Sequence, residues 1–345
     1  MRLLFATTFG HLPELVGGLQ TTTDELARAL QRRGVEVALL CRADPNSLPP
    51  SADSCPYRVI RAPDPVAAVS GVAATLEPSA IVVQTGHNMV RQLVAALDSK
   101  RPVLVYLHNV EQAELGGVLL PDPEIAYLAN SRFTAARWHA AYGLECDVVP
   151  PYVEPAAYVV ETTRERILFV NPTMHKGVEL FFQMARERPA LPFDAVESWT
   201  LDPVWRRFCQ ERAERLGNVA WHAPQRDMRA LYATTRVLLM PSLWEETYGR
   251  CVHEAQLSGI PVLASSRGNL VDTVGAGGLT VDLHAPLGAW LAALDALWQA
   301  GAGEGALSAA ARAHAARPEV DPAAVLDRFM AAVMRHVAAC GRATT

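Results

Sequence analysis

The sequence predicts an α/β protein built of two doubly wound, Rossmann-like domains. Three observations carry that expectation. Short apolar runs alternate with helix-periodic segments along most of the chain. The runs are apolar throughout rather than at every second residue, which marks strands buried on both faces of a parallel sheet with crossover helices. The alternation breaks once, at the proline-rich "VVPPYVEPAAY" (148–158), and then restarts. At 345 residues the chain also exceeds one ordinary domain and suits two of about 150 residues each.

Each half follows from its residues in order. "RLLFATT" (2–8) reads as the first strand, and "TTDELARALQRRG" (22–34) as a helix with Leu26, Ala29 and Leu30 at helical spacing and Gly34 as its stop. "VEVALLC" (35–41), "AIVVQ" (80–84), "PVLVYLH" (102–108), "IAYLANS" (125–131) and "CDVVP" (146–150) are further strands. "SRFTAARWHAAYG" (131–143) is a helix with Ser131 as N-cap. After the break, "RILFVNP" (166–172), "FDAVE" (193–197), "NVAWHA" (218–223), "VLLMPS" (237–242) and "PVLASS" (261–266) are strands. "KGVELFFQMARER" (176–188), "DPVWRRFCQERAERLG" (202–217) and "RDMRALYATT" (226–235) are helices between them. "AGAGEGALSAAARAHAA" (300–316) reads as helix and loop at the surface, and "AAVLDRFMAAVMRHVAA" (323–339) as a helix. The expected division is 1–155 and 156–319, with the helix at about 320–345 packing back on the first domain. Ligands of such sheets sit beyond the carboxyl ends of the strands, where the strand order switches, and a cleft between two domains is the expected place.

Composition narrows the classes of function. A net charge of −5 gives no electrostatic case for nucleic acid or an anionic membrane. The six cysteines are scattered without a C-x-x-C pair, which argues against a zinc or redox motif and fits a reducing cytoplasm. "MRLLFATTFGH" reads as a strand rather than a signal peptide. No run of about 18 apolar residues occurs, so no spanning helix is expected. The expectation is a soluble, cytoplasmic protein.

The richest stretch is "PSLWEETYGRCVHEAQLSGIPV" (241–262), a strand end, a loop and a helix closed by Gly259. Amides at the start of that helix, around Gly249 to Val252, form a cradle for phosphate. Glu246 lies just before it, placed to accept hydrogen bonds from sugar hydroxyls. Glu254 lies about one and a half turns inside the helix, placed to take vicinal ribose hydroxyls. The bland reading of the two acids is a surface pair of Glu246 with Arg250 and a solvated Glu254.

The whole stretch resembles the donor-site signature of glycosyltransferase family 4, retaining enzymes of the GT-B fold. Pro241, Ser242, Glu246, Gly249, Glu254, Ala255, Gly259, Pro261 and Val262 match its Pro-Ser, Glu-x7-Glu-Ala and Gly-x-Pro-Val pattern. The resemblance implies that Glu246 meets the transferred sugar, that Glu254 meets the ribose, and that the loop from Thr247 through Tyr248 and Gly249 to Arg250 binds sugar hydroxyls and diphosphate. "ELVGGLQTTTDELARALQRRGVEVALL" (14–40) resembles the family's first loop and helix, with Gly17 and Gly18 at its glycine pair. His108 in "VYLHN" resembles the strand-end histidine that approaches the sugar. "LANSRFTA" and "VVPPYVE" resemble the motifs that close the first domain, and "HKGVELF" the Lys-Gly motif, with Lys176 on the donor diphosphate. Three places depart from the pattern. Asn171-Pro172 stands where Gly-Arg is common, leaving Arg250 or Arg267 as candidate second cations. Asp272 stands for a glutamate and Pro-Pro-Tyr for Pro-Asn-Gly.

The implied function is a retaining hexosyltransferase that moves a sugar from a nucleotide-diphosphate sugar, its co-substrate, to a hydroxyl of a small soluble molecule or glycan. His108, Lys176 and Glu246 are the implied catalytic set, with no nucleophile, no metal and no cofactor, and with domain closure excluding water. Two other readings stay open at this point: a sugar phosphorylase on the same fold, and a non-catalytic sugar-nucleotide-binding protein.

Overall fold

The structure is a computed structural model and describes residues 1–43, 55–199, 201–300 and 305–343. It divides into two units, Met1–Val153 with Asp321–Thr345, and Glu154–Val320.

In the first unit the described strands are β1 (Arg2–Ala6), β2 (Glu36–Arg42), β3 (Arg58–Ala62), β4 (Ala80–Gln84), β5 (Val103–Leu107), β6 (Ile125–Ala129) and β7 (Cys146–Val148). They form one parallel sheet in the order β3-β2-β1-β4-β5-β6-β7. The order reverses between β1 and β4, the switch point at which such sheets bind ligands. Helices α1 (Gly18–Arg32), α2 (Pro65–Leu76), α3 (Met89–Asp98), α4 (Arg132–Tyr142) and α12 (Pro322–Ala343) cover it. Alternate residues serve opposite faces. Leu3 and Phe5 pack with Leu26 and Leu30 of α1 and with Val325, Phe329 and Val333 of α12. Leu4 and Ala6 pack with Val69 of α2, Leu93 of α3 and Trp138 of α4.

The second unit repeats the plan with β8 (Arg166–Val170), β9 (Phe193–Val196), β10 (Val219–His222), β11 (Thr235–Met240), β12 (Val262–Ser265) and β13 (Gly278–Val281). Its order is β10-β9-β8-β11-β12-β13, again parallel throughout, and its switch lies between β8 and β11. One face carries α5 (Val178–Glu187), α6 (Pro203–Leu216) and α10 (Leu287–Ala300) over a core of Phe169, Phe181, Phe193, Leu263 and Trp290. Also in this unit are α7 (Arg229–Tyr232), α8 (Arg250–Leu257), α9 (Leu270–Val274) and α11 (Ala306–Ala315).

Several expectations are corrected at the element ends. Helix α1 begins at Gly18 rather than Thr22, and α7 is only Arg229–Tyr232 rather than 226–235. The segment expected at the surface over 300–316 instead packs α11 against α8, with Ser308, Ala311 and Ala315 buried; residues 301–304 lie outside the described set. The Ser131 cap is present: its hydroxyl accepts from the Thr134 amide at 3.0 Å.

Candidate active site

The loops at the second unit's switch point hold most of the expected site residues. Lys176 ends a 3-10 turn, Met174–Lys176, between β8 and α5. Glu246 lies in the loop between β11 and α8. Two glycines allow these loops and the one after β12 to close on each other. Gly177 has φ +81°, and a Cβ there would lie 1.9 Å from the Pro241 carbonyl oxygen. Gly268 has φ +60°, and a Cβ there would lie 2.3 Å from the Glu246 carbonyl oxygen, which itself accepts from the Asn269 amide at 2.7 Å. Neither position admits a side chain without moving backbone.

This closure brings Lys176 Nζ to 2.5 Å from Glu246 Oε1, with side chains 14% and 10% exposed. Ser242 Oγ donates to the same carboxylate oxygen at 2.9 Å. The ring of Trp199, just beyond β9, lies 5.3 Å from the ammonium, within cation–π range. The anticipated surface pair of Glu246 with Arg250 is not what forms. Arg250 instead turns along its own helix and donates from Nε to Glu254 Oε1 at 2.7 Å. Tyr232 donates to Glu254 Oε2 at 2.9 Å, and Arg250 Nη2 donates to the Tyr158 hydroxyl at 2.9 Å. Glu254 is therefore buried and braced rather than solvated. Burial beside that carboxylate pushes the Tyr232 hydroxyl well above its ordinary pKa, so it stays a donor.

The remaining residues of the stretch divide between surface and core. Gly249 is the N-cap of α8. Tyr248 is buried, its hydroxyl 2.8 Å from His253 Nδ1, and burial raises its pKa to about 12. Its side chain thus belongs to the support of the loop, leaving backbone as what it can offer a ligand. Thr247 is half-buried. The Val252 amide, counted in the phosphate cradle from sequence, donates to the Gly249 carbonyl at 2.9 Å. Arg267 lies 3.8 Å from Glu245, and Arg250 is committed to Glu254 and Tyr158, so neither stands in the Lys176 pair.

Gly17, Gly18 and His108 belong to the first unit. Gly17 caps α1 in extended backbone, and at Gly18 a Cβ would meet nothing within 4 Å, so this helix start faces open space. His108 follows β5. Its amide donates to Thr85 Oγ1 at 2.8 Å, its carbonyl accepts from Asn130 Nδ2 at 3.3 Å, and its ring centroid lies 4.0 Å from that of Tyr106. Burial lowers its pKa to about 3, which keeps the imidazole neutral near pH 7. The described residues also place His11, Asp24 and Cys55 with possible metal-ligand atoms within 4.8 Å of one another. There the Tyr57 hydroxyl bonds both His11 Nε2 and Asp24 Oδ1 at 2.7 Å, and Arg28 bonds the other Asp24 oxygen at 2.8 Å. These groups satisfy one another as a hydrogen-bonded cluster.

Sequence reasoning missed Tyr158, Tyr232 and Trp199. Each comes from a distant segment, so no local spacing relates Tyr232 to Glu254, Tyr158 to Arg250 or Trp199 to Lys176.

Comparison with known proteins agrees with the architecture. Residues 16–157 match the profile of Glycosyltransferase Family 4, and residues 164–300 that of Glycosyl transferases group 1. The chain is a glycosyltransferase whose first half matches family 4 and whose second half matches group 1. This glycosyltransferase is 28% identical over 391 aligned residues to the D-inositol 3-phosphate glycosyltransferase of Xylanimonas cellulosilytica, covering 93% of each chain. Among solved structures, Anabaena HepE in complex with UDP-glucose superposes with a TM-score of 0.78 at 16% identity, covering 97% of this glycosyltransferase and all of that chain. Sucrose-phosphate synthase from Thermosynechococcus elongatus gives 0.78 at 16%, covering 98% and 100%. These likenesses establish the GT-B fold of this glycosyltransferase. No described helix is long and apolar enough to cross a membrane.

Proposed function

We propose that this glycosyltransferase moves a sugar, with retention of anomeric configuration, from a nucleotide-diphosphate sugar to an acceptor hydroxyl. The observation that carries the reading is the buried Lys176–Glu246 pair at the switch point of the second unit. A nucleotide sugar offers each partner a replacement. The diphosphate takes the ammonium, and the sugar hydroxyls donate to the carboxylate, so neither charge is stranded when the pair opens. Glu254, held by Arg250 and Tyr232, keeps a fixed carboxylate for the ribose. The UDP-glucose complex of the structurally similar HepE supports this class of donor.

As the glycosidic bond breaks, positive charge develops on the ring and negative charge on the leaving phosphate. Lys176 and the amino end of α8 stabilise the phosphate. The leaving phosphate accepts the acceptor's proton on the same face of the sugar, so no side chain serves as nucleophile. His108, on the first unit, is neutral and can meet a ligand hydroxyl only as a dipole and not as a cation. The reading contains no metal, and the acceptor is a small soluble molecule or glycan.

The test follows nucleotide diphosphate release from UDP-, GDP-, ADP- and dTDP-sugars with mixed small acceptors, in buffer containing EDTA. One donor is turned over, and Lys176→Ala and Glu246→Gln each slow it at least about tenfold, equivalent to roughly 1.4 kcal/mol. Proton NMR of the product shows the donor's anomeric configuration. Wild-type rates in both variants, or an inverted product, would overturn the assignment.

A further inference from the structure

Immediately before Lys176 the strand end carries two polar side-chain atoms with nothing to bond. Asn171, the residue that follows β8, is 4% exposed and sits at φ +66°, in the left-handed region. Its Oδ1 is closed off from solvent and has no hydrogen-bond partner among the described residues, and the same holds for Thr173 Oγ1. The backbone groups of Asn171 and Thr173 are bonded. The Asn171 amide donates to the Val196 carbonyl at 2.8 Å, the Thr173 amide to the Asn171 carbonyl at 2.7 Å, and the Lys176 amide to the Thr173 carbonyl at 3.1 Å. Trp205 Nε1 takes the Pro172 carbonyl at 3.0 Å. These backbone bonds fix the loop and leave the Asn171 Oδ1 and Thr173 Oγ1 atoms buried without a partner.

Leaving such groups unpaired is unfavourable, and their retention calls for an explanation. A buried carbonyl oxygen accepts and cannot donate. Its complement is an O–H or N–H group. An ionised diphosphate can accept from the Thr173 hydroxyl or the Asn171 amino group, but it offers no hydrogen to the Asn171 oxygen, the atom left without a donor. A sugar hydroxyl donates to Asn171 Oδ1 and can accept from the Thr173 hydroxyl. Of the hydroxyl-bearing parts of a nucleotide sugar, the ribose is assigned to Glu254, which is braced by Arg250 and Tyr232. The loop of Asn171 and Thr173 ends instead at Lys176, bonded to Glu246, the acid assigned to the transferred sugar.

We propose that Asn171, seconded by Thr173, determines donor specificity by binding a hydroxyl of the transferred sugar. This rests on the donor-site reading above. The left-handed backbone at Asn171 adds a convenience for testing, because glycine adopts it without strain while removing the side chain.

The experiment is calorimetric titration of wild type, Asn171→Gly and Thr173→Val with UDP, GDP and ADP, and with UDP-glucose, GDP-mannose and ADP-glucose. Thermal unfolding of each variant confirms that it is folded. The expected result is that Asn171→Gly binds the preferred sugar nucleotide about fivefold or more weakly while its affinity for the bare nucleoside diphosphate stays at the wild-type value. Thr173→Val shifts in the same sense by a smaller factor. Equal weakening toward both ligands would place the contact on the nucleotide and overturn the sugar assignment. Unchanged affinity for both would overturn any donor contact by Asn171 while leaving the Lys176 and Glu246 reading intact. A wild-type protein that binds none of the six would remove the donor site, and this inference with it.

Discussion

At the scale of single residues, the buried histidines set how the protein responds to acid. His11 and His253 are nearly closed off from water, and His108 is half-buried. Burial lowers His11 to about 4 and His108 to about 3. Burial, with the nearby Arg317 and Arg250 guanidinium groups, lowers His253 to about 3. Each folded pKa lies below the ordinary 6.5, so the folded state favours the neutral form and the unfolded chain takes up protons first. The contribution is complete above about pH 6.5 and is lost as pH falls toward the folded values. The thermal unfolding midpoint is therefore expected to fall between pH 6.5 and 4.5. His253→Gln should reduce that fall, since glutamine can still accept from Tyr248 and donate to the Ala315 carbonyl without charging. An equally steep fall in the variant would show that His253 does not contribute.

At the scale of elements, the three loops around Glu246 depend on glycine. Gly177→Ala meets both an unfavourable φ and the Pro241 carbonyl. It should destabilise the protein by about 2 kcal/mol or more, read from denaturant unfolding, and should lower donor turnover by shifting Lys176. Wild-type stability would mean the loops are looser than described. The sequence made the central strands plain because they are apolar along their whole length: "AIVVQ" is β4 from end to end. It left one edge of each sheet obscure. β3, "RVIRA", has arginines at both ends of its apolar pair, and β13, "GLTV", opens on glycine at the other sheet's margin. Helix α2 is apolar nearly all round and shows no stripe, and α1 opens on a glycine that reads as loop. In the site, the local run from Pro241 to Val262 was legible as a motif. The partners that lock it were not. Tyr158 and Tyr232 stand 92 and 22 positions from the residues they bond, and only the folded sheet brings them there.

At the scale of the whole molecule, each unit has its own parallel sheet and its own reversal of strand order. The chain passes from the first unit to the second after Val153 and returns after Val320, so that α12 completes the first unit's core through Phe329. Gly18 at an open helix start and Lys176 beside Glu246 each follow the first strand of their own unit's switch point, β1 and β8. That placement puts the proposed donor-site residues at the switch points where such sheets bind ligands. In the proposed function the second unit binds a nucleoside diphosphate through Lys176. The most direct measurement is a calorimetric titration of wild type and Lys176→Ala with UDP, GDP, ADP and dTDP. Wild type is expected to bind one of the four in clear preference, and Lys176→Ala to bind it at least about tenfold more weakly. A folded wild-type protein that binds none of them, or a Lys176→Ala variant that binds as tightly as wild type, would contradict that function.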